Sequence, residues 1–296
     1  MAGLQAACDD DDTSGGAAGR AGAAAGPAGA AGAGGGAGGA GGGGGGPAQA
    51  GAGGGSSGGG GQGAGGGPVL APPNPAAAPL VDALTQALSQ GDEAALGARL
   101  GPGAFYVDAR ARVEAPGAAA ALLSGGAWAL ASGVDSHHDV FRVRVQKGEG
   151  EHLLFGGLDA EGRASWLALA GAPPEDPAAT SPVIEAYQKA WNEGDPAARA
   201  ALLAQSWSDE GRYVDPTADV RGRPGLDAVI SGFRATLPGA SLPAASGAFE
   251  AHGLVHFRWR LEGGGATPLD GMDVGLVGPA GTLTLIAGFF GPLPPR

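Results

Sequence analysis

The tripeptide Tyr-Val-Asp occurs twice, at Tyr106-Val107-Asp108 and Tyr213-Val214-Asp215, inside a wider recurrence. A helix-like run ending in Gly-Asp precedes each copy (Gly91-Asp92 and Gly194-Asp195). A strand-like run entered through a histidine follows each, HDVFRVRV from His138 and HGLVHFRWRL from His252. Landmarks that repeat in one order mean one structural plan used twice. The ordered chain is therefore expected to be two tandem domains, 73–172 and 181–293, joined by the proline-rich stretch 173–180.

What precedes them is different in kind. Roughly half of the 62 glycines lie before Val69, and residues 13–67 are almost only Gly, Ala, Ser and Pro. Such a stretch has too little apolar bulk to offset the entropy of ordering, so 13–72 is expected to be a disordered tether. Residues 1–12 carry the only cysteine, Cys8, and the acidic run Asp9 to Asp12. A single cysteine allows no internal disulfide. The order Leu4-Gln5-Ala6-Ala7-Cys8, acidic run, long spacer resembles the mature start of a bacterial lipoprotein. That resemblance implies a lipid on Cys8, a cell-envelope location and a true start codon upstream of Met1; the alternative is a cytoplasmic chain with an ordinary thiol.

The net charge of −12, with no Lys/Arg cluster, argues against nucleic acid and anionic membrane surfaces as partners. No apolar run is long enough to span a bilayer, so membrane contact is expected only through a lipid on Cys8.

In the first domain Leu80, Leu84 and Leu88 share a helix face, Gly91 can end that helix, and Asp92 can cap the next. Strands are expected at 104–108, 140–145, 152–158 and 164–170. In the second domain Tyr187 and Trp191 share a helix face, and Asp195-Pro196 pairs an N-cap with proline at the first helical position. That helix should reach about Trp207, and Ser208 to Gly211 should turn into a strand at 211–215. A third helix carries Leu226, Val229, Phe233 and Leu237; strands follow at 254–262, 268–277 and 282–290. Helices followed by an antiparallel meander make an α+β plan, and a twisted sheet with helices on one face makes a cone with a mouth.

After His252, Phe257, Trp259 and Leu261 point one way and His256, Arg258 and Arg260 the other. The first set should meet the helices, the second solvent or a partner. In the next strand Leu269, Gly271, Asp273 and Val277 share a face. If that face lines the cone, Asp273 is desolvated and held neutral; otherwise it is a solvated strand acid. Tyr187 can reach the same mouth or serve only as core. Asp215, before Pro216, can be no more than a turn residue, a reading its recurrence as Asp108 favours. No metal or cofactor is expected: His252 and His256 on one extended strand stand about 13 Å apart, too far for one zinc ion.

Taken together, Ala-Tyr (186–187), Ala-Trp-Asn-Glu-Gly-Asp-Pro (190–196), Tyr-Val-Asp-Pro (213–216), Gly-Met-Asp-Val (271–274) and Gly-Phe-Phe (288–290) resemble the SnoaL-like branch of the nuclear transport factor 2-like superfamily. The resemblance spans Ser181 to Gly291 and, more faintly, Pro79 to Gly171. Within that superfamily the candidate site resembles that of the ketosteroid isomerases. It implies Asp215 as general base, Tyr187 and a protonated Asp273 as the oxyanion hole, and Val229, Phe257, Trp259, Leu269 and Phe290 as the apolar wall. The expected function is proton abstraction beside a carbonyl of a steroid- or polyketide-like molecule, an isomerase or cyclase reaction. The alternative is a non-catalytic, envelope-tethered module that binds a hydrophobic small molecule. The first domain, with Leu84 and Phe155 in place of the tyrosine and the acid, reads as a degenerate copy, and the two copies are expected to pack as an intramolecular pseudo-dimer.

Overall fold

The computed structural model describes residues 69–296 apart from Pro116, Gly125 and Ala127. Cys8, the acidic run and nearly all of the expected tether lie outside the described residues. The first domain runs α1 (Ala77–Gln90), α2 (Glu93–Gly97), β1 (Leu100–Val107), β2 (Arg112–Glu114), α3 (Gly117–Leu123), β3 (Trp128–Leu130), β4 (Asp135–His137), β5 (Val140–Lys147), β6 (Gly150–Leu158) and β7 (Ala164–Ala170). The second repeats that order: α4 (Pro182–Asn192), α5 (Pro196–Ser206), β8 (Trp207–Asp215), β9 (Ala218–Arg221), α6 (Gly222–Thr236), β10 (Ala240–Ser241), β11 (Phe249–Ala251), β12 (Leu254–Gly263), β13 (Leu269–Val277) and β14 (Leu283–Phe290). Each is an α+β cone, with helices on the concave face of one sheet.

The local signals work as chemistry requires. Gly91 takes a left-handed conformation (φ 67°) and its N–H returns to the Ala87 and Leu88 carbonyls, closing α1. The carboxylates of Asp92 and Asp195 accept from the N–H groups of Ala95 and Ala198, capping α2 and α5. The recurring histidines are turn residues: His138 and His252 have φ 49° and 50° in the two-residue links β4–β5 and β11–β12. Gly253 (φ 81°) supplies the second positive φ of the latter turn.

The strand orders are β2-β1-β7-β6-β5-β3, with β4 on β5, and β9-β8-β14-β13-β12-β10, with β11 on β12. Pairing is antiparallel except that β1 lies parallel to β7 and β8 parallel to β14. The strand that precedes the meander thus closes against its last member, which brings Tyr-Val-Asp beside the end of β14. Residues Ser208 to Gly211, expected as a turn, lie within β8. Their polar character is absorbed by a register break, where Leu283 faces Trp207 and Leu285 faces Arg212.

Each cone has its own core, around Leu84, Tyr106 and Leu154 in the first and around Tyr187, Trp207 and Ile286 in the second. A third cluster joins the outer faces of the two sheets, with Val107, Phe155 and Trp166 against Val274, Leu276 and Phe289. Polar contacts cross the same junction. Arg212 binds Asp139 through two nitrogens at 2.8 and 2.6 Å, and Arg142 reaches the carbonyls of Phe290 (3.2 Å) and Gly291 (2.9 Å). His256, on the face expected to meet solvent or a partner, is buried there against the Phe155 ring, 5.3 Å between centroids.

Register corrects one correspondence between the copies. Val143 faces Leu154 in the first sheet as Phe257 faces Asp273 in the second. Leu154, not Phe155, therefore stands where the second cone has its acid, and Phe155 belongs to the junction. A count along the sequence misses this by one residue, and one residue in a strand is the opposite face.

Candidate functional site

The second cone holds a cavity of about 630 Å³. Val229, Phe257, Trp259, Leu269 and Phe290, the apolar wall expected from the sequence, all line it, and so do Tyr187, Asp215 and Asp273. These come from α4, α6, β8, β12, β13 and β14, so the site exists only in the folded cone.

The strand alternation of β13 explains the acid between Met272 and Val274. Both apolar neighbours face the junction, whereas Asp273 faces the cavity and is 4% exposed. Beside it on the same face, Gly271 leaves space that Trp259 fills: a Cβ there would come within 2.1 Å of the indole. The Trp259 Nε1–H donates to Oδ1 of Asp273 at 2.8 Å, and the Tyr187 hydroxyl donates to Oδ2 at 3.2 Å. The second bond is long for two oxygens, which leaves both groups free to turn toward a third oxygen in the cavity.

Burial pushes Asp273 up to about 7, with the Asp215 charge adding to the rise and the bonds from Trp259 and Tyr187 opposing it. Burial, then the neighbouring Asp273, holds the Tyr187 phenol well above its usual range. Asp273 is thus an acid that keeps its proton well above the ordinary carboxylate range, and Tyr187 a phenol that does not ionise. Both can donate.

Asp215 is set differently. Its Oδ1 accepts from the N–H of Thr217 (2.6 Å), the hydroxyl of Thr217 (2.8 Å) and the N–H of Ala218 (2.7 Å). Its Oδ2 accepts from the Tyr213 hydroxyl at 2.6 Å. The two acids converge over β14. A methyl on Gly288 would stand 3.2 Å from Oδ1 of Asp273 and 3.3 Å from Cβ of Asp215. The back of that point is held by the other cone: His137 donates from Nε2 to the Gly288 carbonyl at 2.9 Å, the carbonyl being able only to accept.

Sequence reasoning did not assign roles to Tyr213, to Thr217 or to the indole N–H of Trp259. The Tyr-Val-Asp spacing held the signal for the first, since residues two apart in a strand share a face. The first cone uses the same device, with the Tyr106 hydroxyl on Asp108 at 3.0 Å. It lacks the rest, because Leu84 and Leu154 occupy the positions of Tyr187 and Asp273 and are packed in the core. Among the described residues no cluster of three or more His, Cys, Asp or Glu side chains could hold a metal ion.

A solved structure of a SnoaL-like family protein from Agrobacterium tumefaciens is 30% identical to this chain, covering 37% of it and 95% of that protein, with a TM-score of 0.35. The chain belongs to the SnoaL-like family. A protein with a ketosteroid isomerase-like fold from Catenulispora acidiphila, solved with trimethylamine, is 18% identical over 38% of this chain and 87% of its own (TM-score 0.33). An NTF2-like protein of unknown function from Exiguobacterium sp. 255-15 is 18% identical over 36% and 95% (TM-score 0.32). No protein-family model matches the chain. No curated protein matches it either.

Proposed function

We propose that the second cone binds an apolar carbonyl compound, of steroid- or polyketide-like build, and moves a proton beside its carbonyl. The observation that carries this reading is the buried Asp273, its proton held up to about pH 7 by burial, next to the Tyr187 hydroxyl on the wall of an apolar cavity, with a second carboxyl close by. The carbonyl oxygen would accept from Tyr187 and Asp273. Oδ2 of Asp215 takes the proton from the adjacent carbon, the electron pair moves onto oxygen as an enolate, and the two donors stabilise that charge. Return of the proton at a different carbon completes an isomerisation. Two acids in one pocket with opposite charge states are what this chemistry uses.

The experiment is turnover of a simple β,γ-unsaturated ketone by the wild type and by Asp215→Asn. A positioned base is worth roughly 10²- to 10⁴-fold, so the variant should lose about that much. Equal rates remove Asp215 as the base.

A second reading is a binding module without turnover, carried at the envelope if Cys8 is lipidated. One observation favours it: Asp108 accepts from the N–H groups of Arg110 and Ala111 as Asp215 does from Thr217 and Ala218, in a cone that lacks the partner acid. Anchoring the turn is then a duty of the fold. Ligand uptake with no turnover in either protein supports this reading.

A further inference from the structure

We infer that Leu70, contributed from outside the second cone by the lead-in to the first, is a specificity-determining residue that selects ligands with an apolar tail reaching the cavity mouth. This rests on the reading of the cavity as a ligand site and adds the shape of what it admits.

Val69 and Leu70 are the large apolar side chains left exposed among the described residues, at 91% and 57%. Leu70 lines the cavity of the second cone although α1 of the first cone follows it in sequence; Val69 does not. The chain is anchored immediately after Leu70. The Ala71 N–H donates to the Pro216 carbonyl at 2.6 Å, one residue beyond Asp215. Three residues on, the Asn74 N–H donates to Ser136 Oγ at 3.0 Å, and the Asn74 amide donates to the His138 carbonyl. Leu70 is therefore set at the cavity wall by the adjacent Ala71–Pro216 bond, and the chain leaving it is tied to the first cone at Asn74.

The polar groups Tyr187, Asp215 and Asp273 are buried, and Leu70 is the one large apolar wall residue left exposed among the described residues. A ligand seated by its oxygen between Tyr187 and Asp273 extends its apolar end outward. If that end is long enough, it covers the exposed part of Leu70; a short ligand never meets it. An apolar contact of this kind contributes roughly threefold to fourfold in affinity per methylene buried. Discrimination by Leu70 should then depend on length.

The test uses the full chain and a series of 4-alkylphenols, whose hydroxyl stands in for the enolate oxygen, with affinities measured by calorimetry. Leu70→Ser should bind phenol and 4-ethylphenol as the wild type does and bind 4-octylphenol about tenfold more weakly. Leu70→Phe should move the best tail length downward, and Val69→Ser should leave the series unchanged. A uniform loss across all lengths, or no loss at the longest, overturns the role of Leu70 while the cavity reading stands. Failure of the wild type to bind any member sinks the cavity reading and the inference together.

Discussion

Two side chains set the character of the cavity, and each can be tested by itself. For Asp273 the folded pKa of about 7 lies above the unfolded carboxyl value of about 4. Its neutral form therefore contributes stability that is complete below pH 4 and is lost as pH rises through 7. Asp273→Asn removes the titration and keeps the shape. We expect the stability of the wild type relative to this variant to fall by on the order of a few kcal/mol between pH 4 and 8, read from urea unfolding at each pH. A flat difference would mean that Asp273 ionises normally. Gly288 is the second case. A methyl there meets both acids within 3.2–3.3 Å, so Gly288→Ala should weaken alkylphenol binding by roughly tenfold while costing about 1 kcal/mol in stability; unchanged binding would show that the acids have room to part. The sequence showed which residues share a face with Asp273, because a strand alternates strictly, and left open whether that face meets the cavity or water. It did not reveal the Tyr213 and Trp259 contacts, because these depend on χ angles and on which strand lies alongside.

At the scale of elements, β14 and β5 matter most. β14 carries Gly288 and Phe290 toward the cavity and Phe289 toward the first cone. β5 supplies Arg142, whose side chain is wholly buried, 2.7 Å from Asp135 and bonded to the carbonyls of Phe290, the last residue of β14, and of Gly291 just beyond it. Truncating this side chain empties its site and leaves carbonyls of Phe290 and Gly291 without their donor, each unsatisfied buried group costing about 1–3 kcal/mol. Arg142→Ala should be destabilised by about 3 kcal/mol in urea and should also lower ligand affinity, since it loosens the strand that holds Phe290. Loss of stability with affinity intact would separate the two effects. Helix starts, helix ends and the later hairpins were legible from the sequence because capping and turn chemistry is local. The parallel closure of β1 on β7 and of β8 on β14 was not, since alternation says which way a side chain points and nothing about which strand it faces. The slip that paired Phe155 with Asp273 has the same origin. Hairpin register fixes the match, and register is a property of two strands.

Taken whole, the described chain buries between its two sheets what a lone cone would expose. Val274, Leu276, Leu285 and Phe289 form a continuous apolar face on the second sheet, and the first sheet covers it. Residues 181–296 produced alone should therefore self-associate through that face or precipitate, as analytical ultracentrifugation would reveal; a stable, well-behaved monomer would show that the junction contributes little. The twofold plan was legible from Tyr-Val-Asp and the turn histidines. The partner of the buried His256 was not, because a histidine in a strand reads the same whether water or another domain covers it.

The leucines at 84 and 154 have an evolutionary reading as well. In a symmetric homodimer every substitution appears twice, so neither subunit can shed its polar groups without disarming both. Joining two copies in one polypeptide lifts that constraint. One half is free to trade polar groups for a greasy interior and become a permanent counterface, while selection on the proposed site acts on its neighbour alone.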